Sequence, residues 1–254
     1  MKVAIITGAS SGIGSGVARE LHRRGWAVGL IARRETHLQA MAEEMKERVA
    51  FAVADVGVEE QVNAAVASLE AALGPCDLML ANAGIGDARS ARNFSVAATK
   101  KILNVNVEGV IHAIGAVVPG MVERGCGTVA ATSSVASYRA MPNFGPYCAS
   151  KAYVSSLMEA MRVDLRSTGI KVTTIHPGFV VSELTDQNVF PMPFLVSTER
   201  ASRIIAKGLE RGQAEINFPW QMTWLLKLVR LLPNWLYDPC VTAFSPIQPK
   251  KESE

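Results

Sequence analysis

The chain has four cysteines, Cys76, Cys126, Cys148 and Cys240, and they form neither a CxxC pair nor a Cys/His cluster. That spacing suits no zinc site and no disulfide framework; free buried thiols in a reducing compartment suit it well. Histidine is scarce too. His22, His37 and His112 lack ligand spacing, so no metal is expected. Charge of one sign is nowhere massed: 26 lysines and arginines against 23 acids leave +3, with only short pairs such as Lys250–Lys251. Nucleic-acid binding has no electrostatic footprint in such a chain. No window reaches the roughly eighteen uninterrupted apolar residues of a membrane span. Met1–Lys2 leads straight into Val3–Ile6, too short a run for a signal-peptide core. A cytoplasmic protein is expected.

What is present is an ordinary globular balance: 254 residues, 49% hydrophobic and 19% charged, enough to bury a full core. Short runs that are apolar on both faces read as buried strands: Val3–Ile6, Ala27–Ile31, Val49–Val53, Leu78–Ala81, Thr128–Ala131 and Val172–Ile175. Helical patterns lie between them at Ile13–Arg24, Leu38–Glu47, Glu59–Leu73, Ala97–Glu123 and Ala149–Leu165. Strand and helix in alternation specify a parallel sheet covered on both sides, because each crossover is a right-handed helix. The fold class is therefore α/β, a single-domain doubly wound parallel sheet of Rossmann type over residues 1–244. Residues 219–244 form a helical extension, and 245–254 read as a disordered end.

The first strand ends in Thr7-Gly8-Ala9-Ser10-Ser11-Gly12-Ile13-Gly14, where a helix starts. Glycines there let the backbone turn tightly and approach a pyrophosphate, while free amides and the helix dipole attract its charge. Gly8, Ser10, Ser11, Gly12, Ile13 and Gly14 are thus candidate phosphate contacts. An NAD-preferring site places Asp or Glu at the end of the second strand, where it would repel a 2′-phosphate. Here that strand ends Leu30-Ile31-Ala32-Arg33-Arg34. Two arginines suit a phosphate fork, so NADP(H) is favoured over NAD(H). Solvated surface arginines are the bland alternative.

The turn, followed in order by Asn82-Ala83-Gly84 and by Tyr147-Cys148-Ala149-Ser150-Lys151, resembles the short-chain dehydrogenase/reductase family. The resemblance extends over about the first 210 residues, and the conjunction of motifs carries it where Tyr-x-x-x-Lys alone would not. It implies an oxidoreductase acting on a carbonyl or secondary alcohol, with Tyr147 as acid–base residue and Lys151 as its partner. Ser134 matches the family serine, with Ser133 the less favoured register, and Asn106 matches the fourth catalytic position. The resemblance also assigns Asp55 and Val56 to adenine, and Asn82, Ala83 and Gly84 to the wall of the cofactor cleft. Pro177, Gly178, Val180 and Ser182 fall to the nicotinamide half, with serine at 182 replacing the commoner threonine. His176, beside Pro177, is a packed or solvent-edge histidine rather than a catalytic one.

The chemistry of these residue types agrees. Tyr147 and Lys151, four apart in a helical stretch, share one face. A free tyrosine titrates near 10, so a neighbouring ammonium that favours the phenolate makes a better proton shuttle. Asn106 could hold a water that relays protons to Lys151. A redox-sensing or scaffold protein that binds NADP(H) without turnover is the rival reading.

The end of the chain departs from the family pattern, lacking the glycine-containing tail that builds a tetramer contact. A homodimer through the helices around Ala97–Glu123 and Ala149–Leu165 is expected instead. In 219–233, Trp220, Trp224, Leu225, Leu228, Leu231 and Leu232 project to one side of a helix, with Thr223, Lys227 and Arg230 opposite. That helix can pack on the domain, bind a protein or contact a membrane surface peripherally. The run Val189–Leu195 looks like an apolar lid, which suggests a rather apolar substrate. Arg89 and Arg139 could contact an acidic group, but solvated surface positions suit both better.

Overall fold

Segments apolar at every position have no face to show to water, so they must pair side by side between two layers of helices. The computed structural model, which describes residues 1–186 and 191–244, places them in one seven-stranded parallel sheet. The strands are β1 (Val3–Thr7), β2 (Ala27–Ala32), β3 (Val49–Val53), β4 (Leu78–Ala81), β5 (Gly127–Thr132), β6 (Ile170–Pro177) and β7 (Glu215–Phe218), in the order 3-2-1-4-5-6-7. Alternate residues of β1 serve the two layers. Val3 and Ile5 join one core, with Val62 and Leu69 of helix α3 (Glu59–Leu73) and Val154 and Met158 of α7 (Gly145–Asp164). Ala4 and Ile6 join the other, against Val17 and Leu21 of α1 (Gly12–Arg23) and Leu38 of α2 (Glu35–Met45).

The chain reverses its direction of travel across the sheet between β1 and β4. A crevice opens outside the carboxyl ends of strands at such a point, where doubly wound sheets bind their ligands.

The long expected helix Ala97–Glu123 is segmented: α4 (Val96–Leu103), a π turn (Asn104–Glu108), α5 (Gly109–Gly115) and α6 (Val118–Arg124). By length and composition, Val96–Arg124 could cross a membrane. Its Val105, Val110, Ala113 and Met121 are instead buried in the first core. Helix α7 starts at Gly145, ahead of the expected Ala149, which brings Tyr147 into its first turn. After the short α8 (Glu183–Asp186) comes α9 (Thr198–Glu210), which the strand–helix count missed. It is capped by Ser197, whose Oγ accepts from Arg200 N, and it buries Ala201, Ile205 and Leu209 in the second core. The extension is two helices, α10 (Trp220–Val229) and α11 (Asn234–Phe244). The expected disordered end at 245–254 and the first two residues of the apolar run at 189–195 lie outside the described residues.

His176 on β6 is packed, with its ring 5.1 Å from that of Tyr138 and Nε2 3.1 Å from Ser155 Oγ. Burial pulls its pKa down from 6.5 to about 4. The folded state therefore holds it neutral while the unfolded chain takes up a proton, and stability is lost as pH falls from about 6.5 toward 4. In His176→Gln, the decline of the urea midpoint across that window should be shallower than in wild type. An unaltered slope would show that His176 does not titrate there.

Gly14 supplies a second test. A Cβ built on it would stand 2.3 Å from the Gly8 carbonyl oxygen, so the α1 start and the turn share one space. Gly14→Ala should lower stability by about 1–3 kcal/mol in urea unfolding. An unchanged midpoint would mean that the turn yields freely.

Candidate active site

The turn after β1 is built for close approach. Gly8 sits at φ +66° with Ala83 Cα 2.7 Å from where its Cβ would be, so only glycine brings β1 this near to the chain leaving β4. Ser11 caps α1 without a side-chain hydrogen bond to it. The first-turn amides of α1 are consequently open to an anion, with the helix dipole behind them.

Asn82 ties three strand ends together. Its Nδ2 donates to Thr7 O (3.2 Å), its Oδ1 accepts from Thr132 Oγ1 (3.1 Å), and its backbone N–H donates to Thr7 Oγ1 (3.0 Å). Thr132 O in turn accepts from Lys151 Nζ at 2.7 Å. Lys151 is buried, and that burial draws its pKa from 10.5 down to about 8.

Tyr147, one turn earlier on α7, stands on the same wall, with the Lys151 ammonium 5.9 Å from its ring centre. The expectation that this cation lowers the tyrosine pKa is not what dominates: desolvation raises it, while a hydrogen bond with Ser134 pulls the other way. At neutral pH the phenol is thus a proton donor. Ser134 accepts from Ala136 N at 3.1 Å, whereas Ser133 is turned into α7, donating to Lys151 O at 2.8 Å.

The opposite wall carries the two arginines. Arg33 lies 3.5 Å from Asp55 Oδ2. Arg34 donates to Ser10 Oγ at 3.1 and 3.2 Å and pairs with Glu183 Oε1 at 2.9 Å. Ser11 Oγ also donates to Glu183, at 3.3 Å.

Apart from Thr7 and Ala136, which lie behind it, these groups line one groove of about 470 Å³. It brings together Gly8, Ser10, Ser11, Gly12, Ile13, Arg33, Arg34, Asp55, Val56, Asn82, Ala83, Gly84, Ser134, Tyr147, Lys151, Pro177, Gly178, Val180 and Ser182. Gly14 and Asn106 are not among its lining residues. Gly14 packs behind the turn. Asn106, fully buried in the π turn, spends both amide hydrogens on Ile85 O (2.9 Å) and Ser150 Oγ (3.0 Å), and its Oδ1 accepts from Ile85 N (2.8 Å). Its side chain braces the loop after Gly84 against α7, with both amide hydrogens engaged.

Sequence reasoning missed Thr7, Thr132 and Glu183. The two threonines end strands that were legible, and a terminal hydroxyl on a buried strand was the available signal. Nothing in the sequence pairs Glu183 with an arginine 149 residues before it.

A second cavity of about 490 Å³ is lined mainly by apolar groups, among them Phe94, Ala98, Ile102, Met141 and Pro146. Arg89, at its edge, is paired with Asp87 at 3.0 Å. Arg139 is held by Asn234 Oδ1 at 2.7 Å.

The groove has what a dinucleotide needs: a tight glycine turn, open helix amides, and an acid–base pair at the far end. Known proteins agree with it. Residues 2–190 match the model of the short chain dehydrogenase family. An uncharacterized oxidoreductase of Myxococcus xanthus is 44% identical over 243 residues, 93% of this chain and 95% of that one. The 3-ketoacyl-(acyl-carrier-protein) reductase of Brucella melitensis, solved with NADH, superposes at a TM-score of 0.78 with 28% identity, covering 84% of this chain and 92% of its own. A single-site variant of actinorhodin polyketide ketoreductase, solved with NADPH, gives 0.80 and 25%, covering 87% and 97%. Turn, seam and Tyr147–Lys151 wall therefore occur together for a family reason: this chain belongs to the short-chain dehydrogenases and is an oxidoreductase of that type, served by a nicotinamide cofactor.

Proposed function

We propose that this protein is an NADP(H)-dependent reductase or dehydrogenase of a rather apolar carbonyl or secondary alcohol. The observation that carries the reading is the convergence of Ser134, Tyr147 and Lys151 on the wall of a groove whose other end is the open start of α1.

The turn Gly8–Gly14 would hold the pyrophosphate, Asp55 and Val56 the adenine, and Pro177, Gly178, Val180 and Ser182 the nicotinamide half. When bound, the cofactor supplies or accepts the hydride. Ser134 donates a hydrogen bond to the substrate oxygen, and Tyr147, a neutral phenol at pH 7, gives it a proton during reduction. Lys151, with its charge disfavoured by burial, titrates close enough to neutrality to restore that proton. Asn106 is a positioning residue in this scheme, keeping the loop after Gly84 against α7.

Arg33 and Arg34 favour a 2′-phosphate by their place on the groove, and each now faces a carboxylate that the phosphate would displace. The apolar second cavity and the engagement of Arg89 and Arg139 favour a substrate without an acidic anchor. Exposed Val96, Ile111, Tyr153 and Val163 on α4, α5 and α7 favour a homodimer through those helices. Four free cysteines suit a cytoplasmic setting.

Titration with NADPH and NADH, followed by an NADPH-consumption screen over aldehydes, ketones, quinones and steroid-like carbonyls, tests the reading. Tyr147→Phe should keep cofactor binding and lose turnover by about a hundredfold or more. If wild type and Tyr147→Phe both bind NADPH and neither consumes it with any compound, the non-catalytic sensor replaces the enzyme.

The cofactor choice has its own test. Arg33→Ala/Arg34→Ala should weaken NADPH about tenfold or more and leave NADH unchanged. Glu183→Gln, which frees Arg34, should tighten NADPH a few-fold. Equal loss of both cofactors in the arginine variant would remove the 2′-phosphate assignment.

A further inference from the structure

A helix lying on its own domain turns its apolar side inward. Helix α10 does the reverse. Its buried residues are Met222 and Thr223, while Trp220, Trp224, Leu225 and Leu228 are 56–68% exposed; Leu231, between the helices, and Trp235, in the first turn of α11, reach 78% and 77%.

The arrangement is held in place. Met222 packs against Gly178, which lines the groove: a Cβ there would meet Met222 Sδ at 2.9 Å. Lys227 Nζ lies 3.4 Å from Glu215 and 5.4 Å from the Tyr138 ring centre. On α11, Asn234 accepts from Arg139, whose guanidinium lies 4.2 Å from the centre of the Tyr237 ring. The Tyr237 hydroxyl donates to Ala140 O. Two helices are thus fastened by polar contacts to the residues edging the site, with their apolar side outward beside it.

The ten residues after Phe244 do not suit as a cover: Ser-Pro-Ile-Gln-Pro-Lys-Lys-Glu-Ser-Glu contains one large aliphatic side chain and four charges. A second copy suits poorly as well. Lys227 is taken by Glu215 and α10 holds no Asp or Glu, so two such helices meeting about a two-fold axis would offer the Arg230 of each copy no carboxylate from α10; the nearest acid along the chain is Asp238 in α11. Arg230 is exposed and has no ion pair among the described residues. Tryptophans with leucines and the unpaired Arg230, on a helix α10 that holds no acid, complement an anionic lipid surface: indoles at headgroup level, leucines at the acyl boundary, arginine toward phosphate.

We propose that α10 and α11 seat this protein on an anionic membrane surface, with Trp220, Trp224 and Trp235 as interfacial anchors. The seat puts the edge of the active site against the bilayer, the phase in which apolar carbonyl compounds concentrate. That second step rests on the apolar-substrate reading above; the seating does not.

The test is co-sedimentation of the full chain, without cofactor, with vesicles of phosphatidylcholine alone and of phosphatidylcholine with phosphatidylglycerol. Tryptophan emission and sedimentation velocity are recorded alongside. Wild type should bind the phosphatidylglycerol vesicles, shift its emission to the blue, and release as salt rises. Trp220→Ser/Trp224→Ser/Trp235→Ser should lose binding about tenfold or more. Leu228→Asp, a single exposed change, should do so in part, with circular dichroism unaltered in both. Arg230→Gln should weaken binding only to phosphatidylglycerol vesicles.

No binding to either vesicle would overturn the proposal. So would a wild-type dimer that the triple variant turns into monomer while vesicles bind neither form, the signature of a second copy on this face. The readout needs no turnover, so loss of the enzymatic reading would leave it standing and its own failure would leave that reading untouched.

Discussion

The seam between β1 and β4 is the constraint on which the site depends. The two strands lie side by side, yet their connecting helices leave to opposite faces, so nothing covers their carboxyl ends. Asn82 closes the seam from within. One carboxamide donates to the end of β1 and accepts from the end of β5 while its own backbone belongs to the chain leaving β4. Because Thr132 also receives Lys151, the height of the strand ends sets the height of the α7 wall. A half-buried amide with these partners satisfied is held firmly, since losing any of them leaves a partly desolvated polar group behind.

Electrostatics within the groove runs in two directions. At the α7 end, desolvation dominates. It lifts Tyr147 and lowers Lys151, so both drift toward neutral forms, and the proton needed for reduction rests on the phenol. At the rim, ion pairing dominates: Arg34 keeps the Glu183 carboxylate below the usual range although most of that side chain is in water. One end is poised for proton movement and the other for exchanging one anion for another.

The parts of this architecture that show in the sequence are those with a strong local signal. All six both-faces-apolar runs are strands, and the glycine turn stands between β1 and α1 as its spacing demands. Every sequence-derived site residue except Gly14 and Asn106 lines the groove. What was not legible depends on contacts distant in the chain. Helix α9 carries charges through its middle, Arg200, Arg203 and Lys207, which dilute its apolar stripe until the second core is there to receive it. The Arg34–Glu183 pair needs the loop after β6 to fold back over the turn. Periodicity identifies the two sides of α10, but which one faces inward is settled by polar anchors at Glu215 and Arg139, outside the helix. The π turn leaves no mark because its residues, Asn-Val-Asn-Val-Glu, are ordinary helix interior.

That turn has a consequence for how this chain tolerates length changes. A π turn holds one more residue than an α turn, so deleting a single residue within Asn104–Glu108 would let the helix close up into regular winding. Because the π turn absorbs its extra residue, the helix on either side of it would keep its facing. Val110 and Ala113 would stay in the first core, and the loss would fall on Asn106, whose place between Ile85 and Ser150 belongs to the widened turn. One residue can therefore be lost from the middle of this helix with its register kept, and what such a deletion removes is the brace behind the site and not the core.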